Sequence, residues 1–547
     1  MFSVLLSFSA VDVARAEDKT LTIGISQFPA TLHPNIESMV AKSYVLAMAQ
    51  RQLTTIDANW DMTCLFCETL PTLENGLAVL EETPDGKPGM AMTFTLPKNA
   101  KWADGVPVTT KDVEFAWQVG RNPEVGINNM ELYRRMYQLD IKDDKTFTFH
   151  LDKRTYDYNR INDIYLLPAH LERKIFENDP REYKNRTKYD SDSTNPGLYQ
   201  GPYRVTNIVR GSSITLERNQ YWHGKAPYFD KIIVRTIENT AALEANLLSG
   251  NIDMIAGELG VTLDQAIAFK KRHGKKFEIV YKPGLIYEHI DLNLDNPILK
   301  DKRVRQALLY AIDRELISQQ LFNGIQPVAH GDISPLDKVY SPDIKRYPFD
   351  VNKAKSLLEE AGWDIIKKGV RHNANGDALR LELNTTAGNK TRELVQQVLQ
   401  SQWKQVGVDI RIRNEPPRVF FGQTTRERKF GSMVMYAWMS SPENPPRPQL
   451  HSTEIPSEAN NYSGQNYTGF RNSEMDELLA ALEEELDFEK RTPLWKRMQD
   501  IYVEELPALP LYFRANPHIW PKWLKGIVPT GHQYPSTEAI EYWRRAE

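Results

Sequence analysis

Short strand-patterned runs alternate with amphipathic helical stripes along the whole of this 547-residue chain. No apolar run approaches the roughly 18 residues that a membrane-crossing helix needs. That patterning predicts a mixed α/β fold with no short repeat. Thr20–Ile25 alternates as a half-buried strand does, and Met92–Leu96, Thr146–Leu151, Ser213–Glu217, Lys231–Thr236, Phe277–Tyr281 and Val408–Ile412 read the same way. From Val304 the apolar residues fall at 304, 307, 308, 311, 312 and 316, a helical stripe. Asp350 is placed to cap a helix that stops at Gly362. Ser473-x-x-Asp476 reads as the opening of another helix, with Met475, Leu478, Leu479, Leu482 and Leu486 on one face. The polar stretch Glu177–Tyr199 and the proline-rich Pro442–Pro448 read as loops.

Composition narrows the class further. Lys and Arg total 68 against 72 Asp and Glu, a net charge of −4, too close to neutral for a protein that coats nucleic acid or a membrane surface. Two cysteines cannot make a disulfide scaffold. Residues 1–16 combine a short apolar stretch with Ala14-Arg15-Ala16, the pattern of a secretory signal cut after Ala16, although a basic leading segment is missing. A start lying upstream accounts for that gap; the bland alternative is an apolar N-terminal strand of a cytosolic protein. No cysteine stands at the cleavage point, which argues against a lipid anchor.

A search for catalytic chemistry finds no phosphate-binding glycine loop, no His-Glu-x-x-His and no Gly-x-Ser-x-Gly elbow. The 11 histidines share no metal-ligand spacing with one another or with the cysteines, so neither a metal nor a cofactor is expected. Glu483-Glu484-Glu485 reads as a solvated helix face, and the basic run from Lys270 to Lys276 as a hydrated helix end. Cys64-Leu65-Phe66-Cys67 admits a local disulfide, two buried thiols or a catalytic dithiol; export would favour the disulfide. Trp438, in Val434-Met435-Tyr436-Ala437-Trp438-Met439-Ser440-Ser441-Pro442-Glu443-Asn444, ends an apolar strand ahead of small polar residues. Such a segment builds either a pocket floor with a polar rim or an ordinary piece of core.

Six blocks, in order over about residues 20–515, carry a resemblance. They are Phe28-Pro29-Ala30-Thr31-Leu32-His33-Pro34; Trp102-Ala103-Asp104-Gly105-Val106-Pro107-Val108-Thr109-Thr110-Lys111-Asp112-Val113; Gly201-Pro202-Tyr203; Arg303-Val304-Arg305-Gln306-Ala307-Leu308 with Ala311-Ile312-Asp313-Arg314; Lys353 to Gly362; and Leu506-Pro507-Ala508-Leu509-Pro510-Leu511. Together they resemble the extracytoplasmic solute-binding proteins, family 5, of peptide-type ABC transporters. Physically they are scaffold: Thr109 or Thr110 can cap a helix after the Asp104-Gly105 turn, and Gly201-Pro202 sets a turn where the chain re-enters a domain.

The resemblance implies a two-lobed periplasmic-binding-protein fold of the α/β class, with an extra domain in the first lobe. The expected division is a signal at 1–16, the first lobe at 17–58, 200–285 and 517–547, the extra domain at 59–199 and the second lobe at 286–516. It implies a soluble, monomeric, non-enzymatic periplasmic receptor that delivers a small solute to a membrane permease. Phe28, Trp438, Ser440, Ser441, Glu443 and Asn444 are the expected cleft residues. Peptide-binding relatives place an aspartate shortly after the strand-end tryptophan to meet the ligand's ammonium group. Ser441 stands at the matching position, so that charge is absent or moved to Glu443. Peptides, modified peptides, opine-like conjugates, sugars and metal chelates all stay open. The rival reading is an exported hydrolase that uses a carboxylate pair in a similar cleft.

Overall fold

In the computed structural model, which describes residues 19–546 apart from 37, 38, 128, 163 and 461, ten strands form one continuous mixed sheet. They are β1 (Thr20–Ile25), β2 (Tyr203–Val209), β3 (Ser213–Arg218), β4 (Lys231–Thr236), β5 (Met254–Ile255), β6 (Phe277–Leu292), β7 (Arg380–Asn384), β8 (Asp409–Ile412), β9 (Met433–Met439) and β10 (Ala508–Pro521). Their order across the sheet is β8-β7-β9-β6-β10-β5-β1-β4-β3-β2. The expected export signal lies outside the described residues.

Two apolar cores divide the sheet. One gathers Leu21, Ile23, Tyr203, Ile232 and, from the far end of the chain, Trp520 and Trp543. The other gathers Ile290, Leu308, Leu383, Met435, Trp495 and Leu509. Only β6 and β10 run through both. Phe277–Pro283 pairs with Ala515–Pro521 beside the first core, and Tyr287–Asp291 pairs with Ala508–Phe513 beside the second. A register irregularity separates the halves, between Pro283 and Tyr287. The Phe277–Tyr281 run read from sequence is thus the first third of a 16-residue strand. Pro283 and Gly284 interrupt the alternation at the irregularity, where strand patterning is weakest.

A four-stranded antiparallel sheet (Ala78–Glu82, Pro88–Thr95, Met136–Ile141, Thr146–Leu151) and the helices around it add a separate layer to the first core. Thr109 caps the helix Thr110–Arg121 through a capping box with Asp112. Gly201 admits no side chain: a Cβ there would lie 2.6 Å from the Ala49 carbonyl carbon. The chain-end residues return to the first core, where the Thr537 hydroxyl donates to Tyr44 O at 2.7 Å and Arg51 meets Glu541 at 2.8 Å.

Several local expectations change. Glu177–Tyr199 is no loop but a string of short helices, because Asp179, Thr187 and Asn195 each cap a turn with their side chains. The helix at Ser473–Glu484 is capped by Asn472, whose Oδ1 accepts from Met475 N at 2.9 Å, one residue before the expected Ser473. The stripe from Val304 is split into Lys302–Tyr310 and Arg314–Phe322, since Asp313 caps the second helix by accepting from Leu316 N. Asp350 caps Val351–Glu360 as expected, and Gly362 takes the left-handed conformation at φ +86°. Cys64 and Cys67 are joined, with Cα atoms 5.2 Å apart and Phe66 buried between them.

Just past the register irregularity, the fully buried Glu288 on β6 is clamped by two arginines. Arg514 on β10 donates from Nε at 2.8 Å and Nη2 at 2.5 Å; Arg392 donates from Nε at 2.5 Å. Burial alone would raise this carboxyl, but Arg514 and Arg392 outweigh it and hold it below the usual glutamate range. Glu288→Ala should therefore cost about 3–5 kcal/mol in urea unfolding, because it strands buried guanidinium charge. In the unmutated protein this contribution should be intact above the unfolded-state glutamate pKa and fade as pH falls through the lower folded value. Glu288→Gln should lack that part of the acid dependence.

Candidate functional site

Strand alternation sets one wall of the site. Tyr287, His289 and Asp291 on β6 project from the same face, and antiparallel pairing sets Trp438 opposite Tyr287 and Tyr436 opposite His289. The Tyr287 and His289 rings stack at 4.8 Å, His289 meets Tyr436 edge-on at 4.7 Å, and Tyr436 meets Trp438 at 6.4 Å. These five side chains line a cavity of about 140 Å³, completed by Asp332, Tyr467, Tyr502, Ser440, Ser441 and Asn444 among others.

The wall is internally bonded. His289 Nδ1 lies 3.2 Å from Tyr287 O, and its Nε2 lies 3.3 Å from Asp291 Oδ1. The Tyr436 hydroxyl donates to Asp291 Oδ2 at 2.5 Å, and the Tyr287 and Tyr502 hydroxyls pair at 3.1 Å. Burial works against the His289 charge, yet Asp291 more than offsets it and raises the imidazole above its ordinary range.

A second cavity of about 330 Å³ opens against this one. Its wall comes from the first lobe and the chain end, through Arg135, Tyr156, Arg160, Asn162, Gln533 and Tyr534, and again from Ser441 and Asn444. Those two residues line both cavities, so the space continues from within the second lobe to the gap between lobes. Contacts cross that gap beside them. The Gln533 amide donates to Ser441 Oγ at 3.1 Å, the Tyr156 hydroxyl to Asn444 Oδ1 at 3.3 Å, and the Arg491 guanidinium lies 3.9 Å from the Tyr156 ring centroid.

The residues singled out in the sequence divide accordingly. Trp438, Ser440, Ser441 and Asn444 line the first cavity. Trp438 also packs against the small cluster of Phe420, Phe430, Val434 and Tyr436, so it serves as wall and core at once. Phe28 packs half-buried against the first core and is absent from the lining of both cavities. Glu443 is spent on the lobe-to-lobe contact: its carboxylate meets Arg160 at 3.1 Å, and its backbone N–H donates to Asp337 at 2.8 Å. Its left-handed backbone, φ +55°, belongs to that tight turn.

Sequence reasoning missed Tyr287, His289, Asp291 and Asp332. The Tyr-x-His-x-Asp alternation was there to be read, but only a strand known to continue past Gly284 gives it meaning. Asp332 lies in a loop and carries no periodic signal. Among the described residues no group of three or more His, Cys, Asp and Glu is arranged to hold a metal, and no helix is long and apolar enough to cross a membrane. The arrangement can enclose a small solute between aromatic rings and neutral hydrogen-bonding groups.

Comparison with known proteins agrees with this geometry. The model of bacterial extracellular solute-binding proteins, family 5, matches residues 73–457. The oligopeptide-binding protein OppA of Bacillus subtilis is 25% identical over 94% of this chain and 90% of its own. The oligopeptide-binding protein of Thermus thermophilus, solved with a pentapeptide, is 32% identical, superposes with a TM-score of 0.72 and is covered to 96%, as is this chain. AppA of Bacillus subtilis, solved with a nonapeptide, is 25% identical at a TM-score of 0.70, over 96% of this chain and 99% of that one. The fold is accordingly the two-lobed α/β fold anticipated from the six sequence blocks, and the chain belongs to the bacterial extracellular solute-binding proteins, family 5.

Proposed function

We propose that this protein is the periplasmic, soluble receptor of an ABC importer, capturing a peptide-like solute between its lobes and passing it unchanged to a membrane permease. The observation that carries this reading is the meeting of the two cavities at Ser441 and Asn444, with one wall from each lobe. The lobes correspond to 17–285 and 517–547 on one side and 286–516 on the other, with 59–199 as the extra domain. The crossing strands β6 and β10 act as the hinge, and solute binding shifts an open–closed equilibrium. Trp438 supplies packing and Ser440, Ser441 and Asn444 directional bonds, while Glu443 bridges to Arg160 across the gap and Phe28 belongs to the first core. The hydrolase rival gains nothing from the relatives, which are described as binding proteins.

The Arg160–Glu443 contact then belongs to the closed form. Arg160→Ala should displace the balance toward the open form by about tenfold, on the order of 1.4 kcal/mol. Small-angle scattering of the ligand-free variant should show a larger radius of gyration, and an unchanged radius would count against the hinge.

Trp438→Ala should weaken binding of the tightest member of a synthetic tri- to pentapeptide panel by about 2 kcal/mol or more, near thirtyfold, in calorimetry. A variant that binds normally yet melts far lower would make Trp438 scaffold. Protein drawn from a periplasmic extract should carry a stoichiometric, unaltered small molecule in native mass spectrometry. The same preparation, denatured without reductant, should show no free thiol from Cys64 or Cys67; two titratable thiols would reject the proposed disulfide.

A further inference from the structure

The cavity in the second lobe holds two carboxylates, and only one of them is balanced. Asp291 is met by His289 at 3.3 Å and by the Tyr436 hydroxyl at 2.5 Å. Asp332 has no such pairing: its Oδ1 is sealed from solvent without a hydrogen-bond partner. His289 cannot turn to it, because both ring nitrogens are engaged, Nδ1 by Tyr287 O and Nε2 by Asp291. The hydroxyls of Tyr287 and Tyr502 are engaged with each other. Among the described residues that line this cavity there is no lysine and no arginine. Burial pushes the Asp332 carboxyl up to about 7, and its own backbone N–H and the His289 charge offset only part of that rise.

Shape and surroundings define what would supply that charge. The cavity's volume of about 140 Å³ is close to the ~150 Å³ that accommodates benzene in an engineered core, so it takes a group of side-chain size rather than a whole solute. Tyr287, Tyr436, Tyr467 and Trp438 surround it with aromatic rings, which attract a cation. A buried charge needs an opposite partner, and here the one positively charged neighbour, His289, is already held by Asp291, whereas the Asp332 carboxylate offers a cation an acceptor that is not taken up.

We infer that this cavity is a subsite for one cationic group of the solute, an alkylammonium or guanidinium, with Asp332 as its countercharge. The inference rests on the receptor reading of the cleft and narrows it to solutes carrying a basic group.

Calorimetry with N-acetylated tripeptides bearing lysine, norleucine or Nε-acetyl-lysine at each position in turn tests it, the N-acetyl group removing the terminal ammonium, with agmatine and cadaverine as cations that are not peptides. A lysine peptide should bind about tenfold or more tighter than both uncharged counterparts at one position. Asp332→Asn should erase that preference, with an unchanged far-UV circular dichroism spectrum and melting transition reporting that the variant is folded. If uncharged peptides bind as tightly as lysine peptides, the receptor reading stands and the subsite falls. Asp332-dependent binding of the amines without any peptide binding would keep the subsite and reject the peptide-like solute. Failure of every lysine peptide and both amines to bind, or a lysine preference that survives Asp332→Asn, would overturn the subsite.

Discussion

The backbone pairing of β6 with β10 is the interaction on which the rest of the molecule depends. Strands of 16 and 14 residues run antiparallel from one apolar core into the other. Each core is closed by segments distant in sequence: β1 and the chain end share one, and the helices of 302–360 and 488–505 share the other. A second irregularity, between Glu288 and His289, follows the break in register between Pro283 and Tyr287. Glu288, held by Arg392 and Arg514, fixes the strand immediately beyond that break. Its cluster ties β6, β10 and the helix Lys390–Lys404 at one point.

The same strand that joins the lobes builds the site. Because side chains alternate, the register set by β6 and β9 brings Tyr287, His289 and Asp291 onto the face that carries Tyr436 and Trp438. A one-residue slip would turn this whole set away from the cavity. The wall of the cavity is therefore set by the register of the sheet, whereas the gap between lobes is crossed by side-chain contacts. There the contacts include Arg160 with Glu443, Gln533 with Ser441, Tyr156 with Asn444, the Tyr156 N–H with Glu483 O and the Arg491 guanidinium on the Tyr156 ring. Polar, partly solvated contacts contribute little each, which suits surfaces that part and rejoin. Within the cavity, Asp291 is met by His289 and Tyr436, whereas Asp332 Oδ1 has no hydrogen-bond partner.

Legibility of this organisation followed the range of the interactions involved. Caps and turns are local, and some were readable: Thr109, Asp350 and Gly362 stand where the sequence suggested, whereas Asn472 displaced Ser473 by one position and caps such as Asp301, Asp313 and Asn389 went unread. The string of small helices after Glu177 was hidden by its polarity, since side-chain caps rather than an apolar stripe sustain it. The end of β9 was legible as a segment, yet Trp438 could not be divided between wall and core, and it belongs to both. Glu443 looked available because its partner, Arg160, lies 283 residues earlier in the chain.

The chain's residues alone pointed to the α/β class, the family and seven of the strands, and singled out Trp438–Asn444 as a candidate edge of a site. Those properties rest on composition, short-range periodicity and ordered blocks of turn and capping residues, all expressed within a few residues of chain. Tertiary structure alone decided that β6 crosses the irregularity and continues to Leu292, that Asp291 finds His289 and Tyr436, and that Asp332 finds no such partner. The physical reason is that strand register and charge pairing are settled between segments hundreds of residues apart, where neither periodicity nor motif carries information.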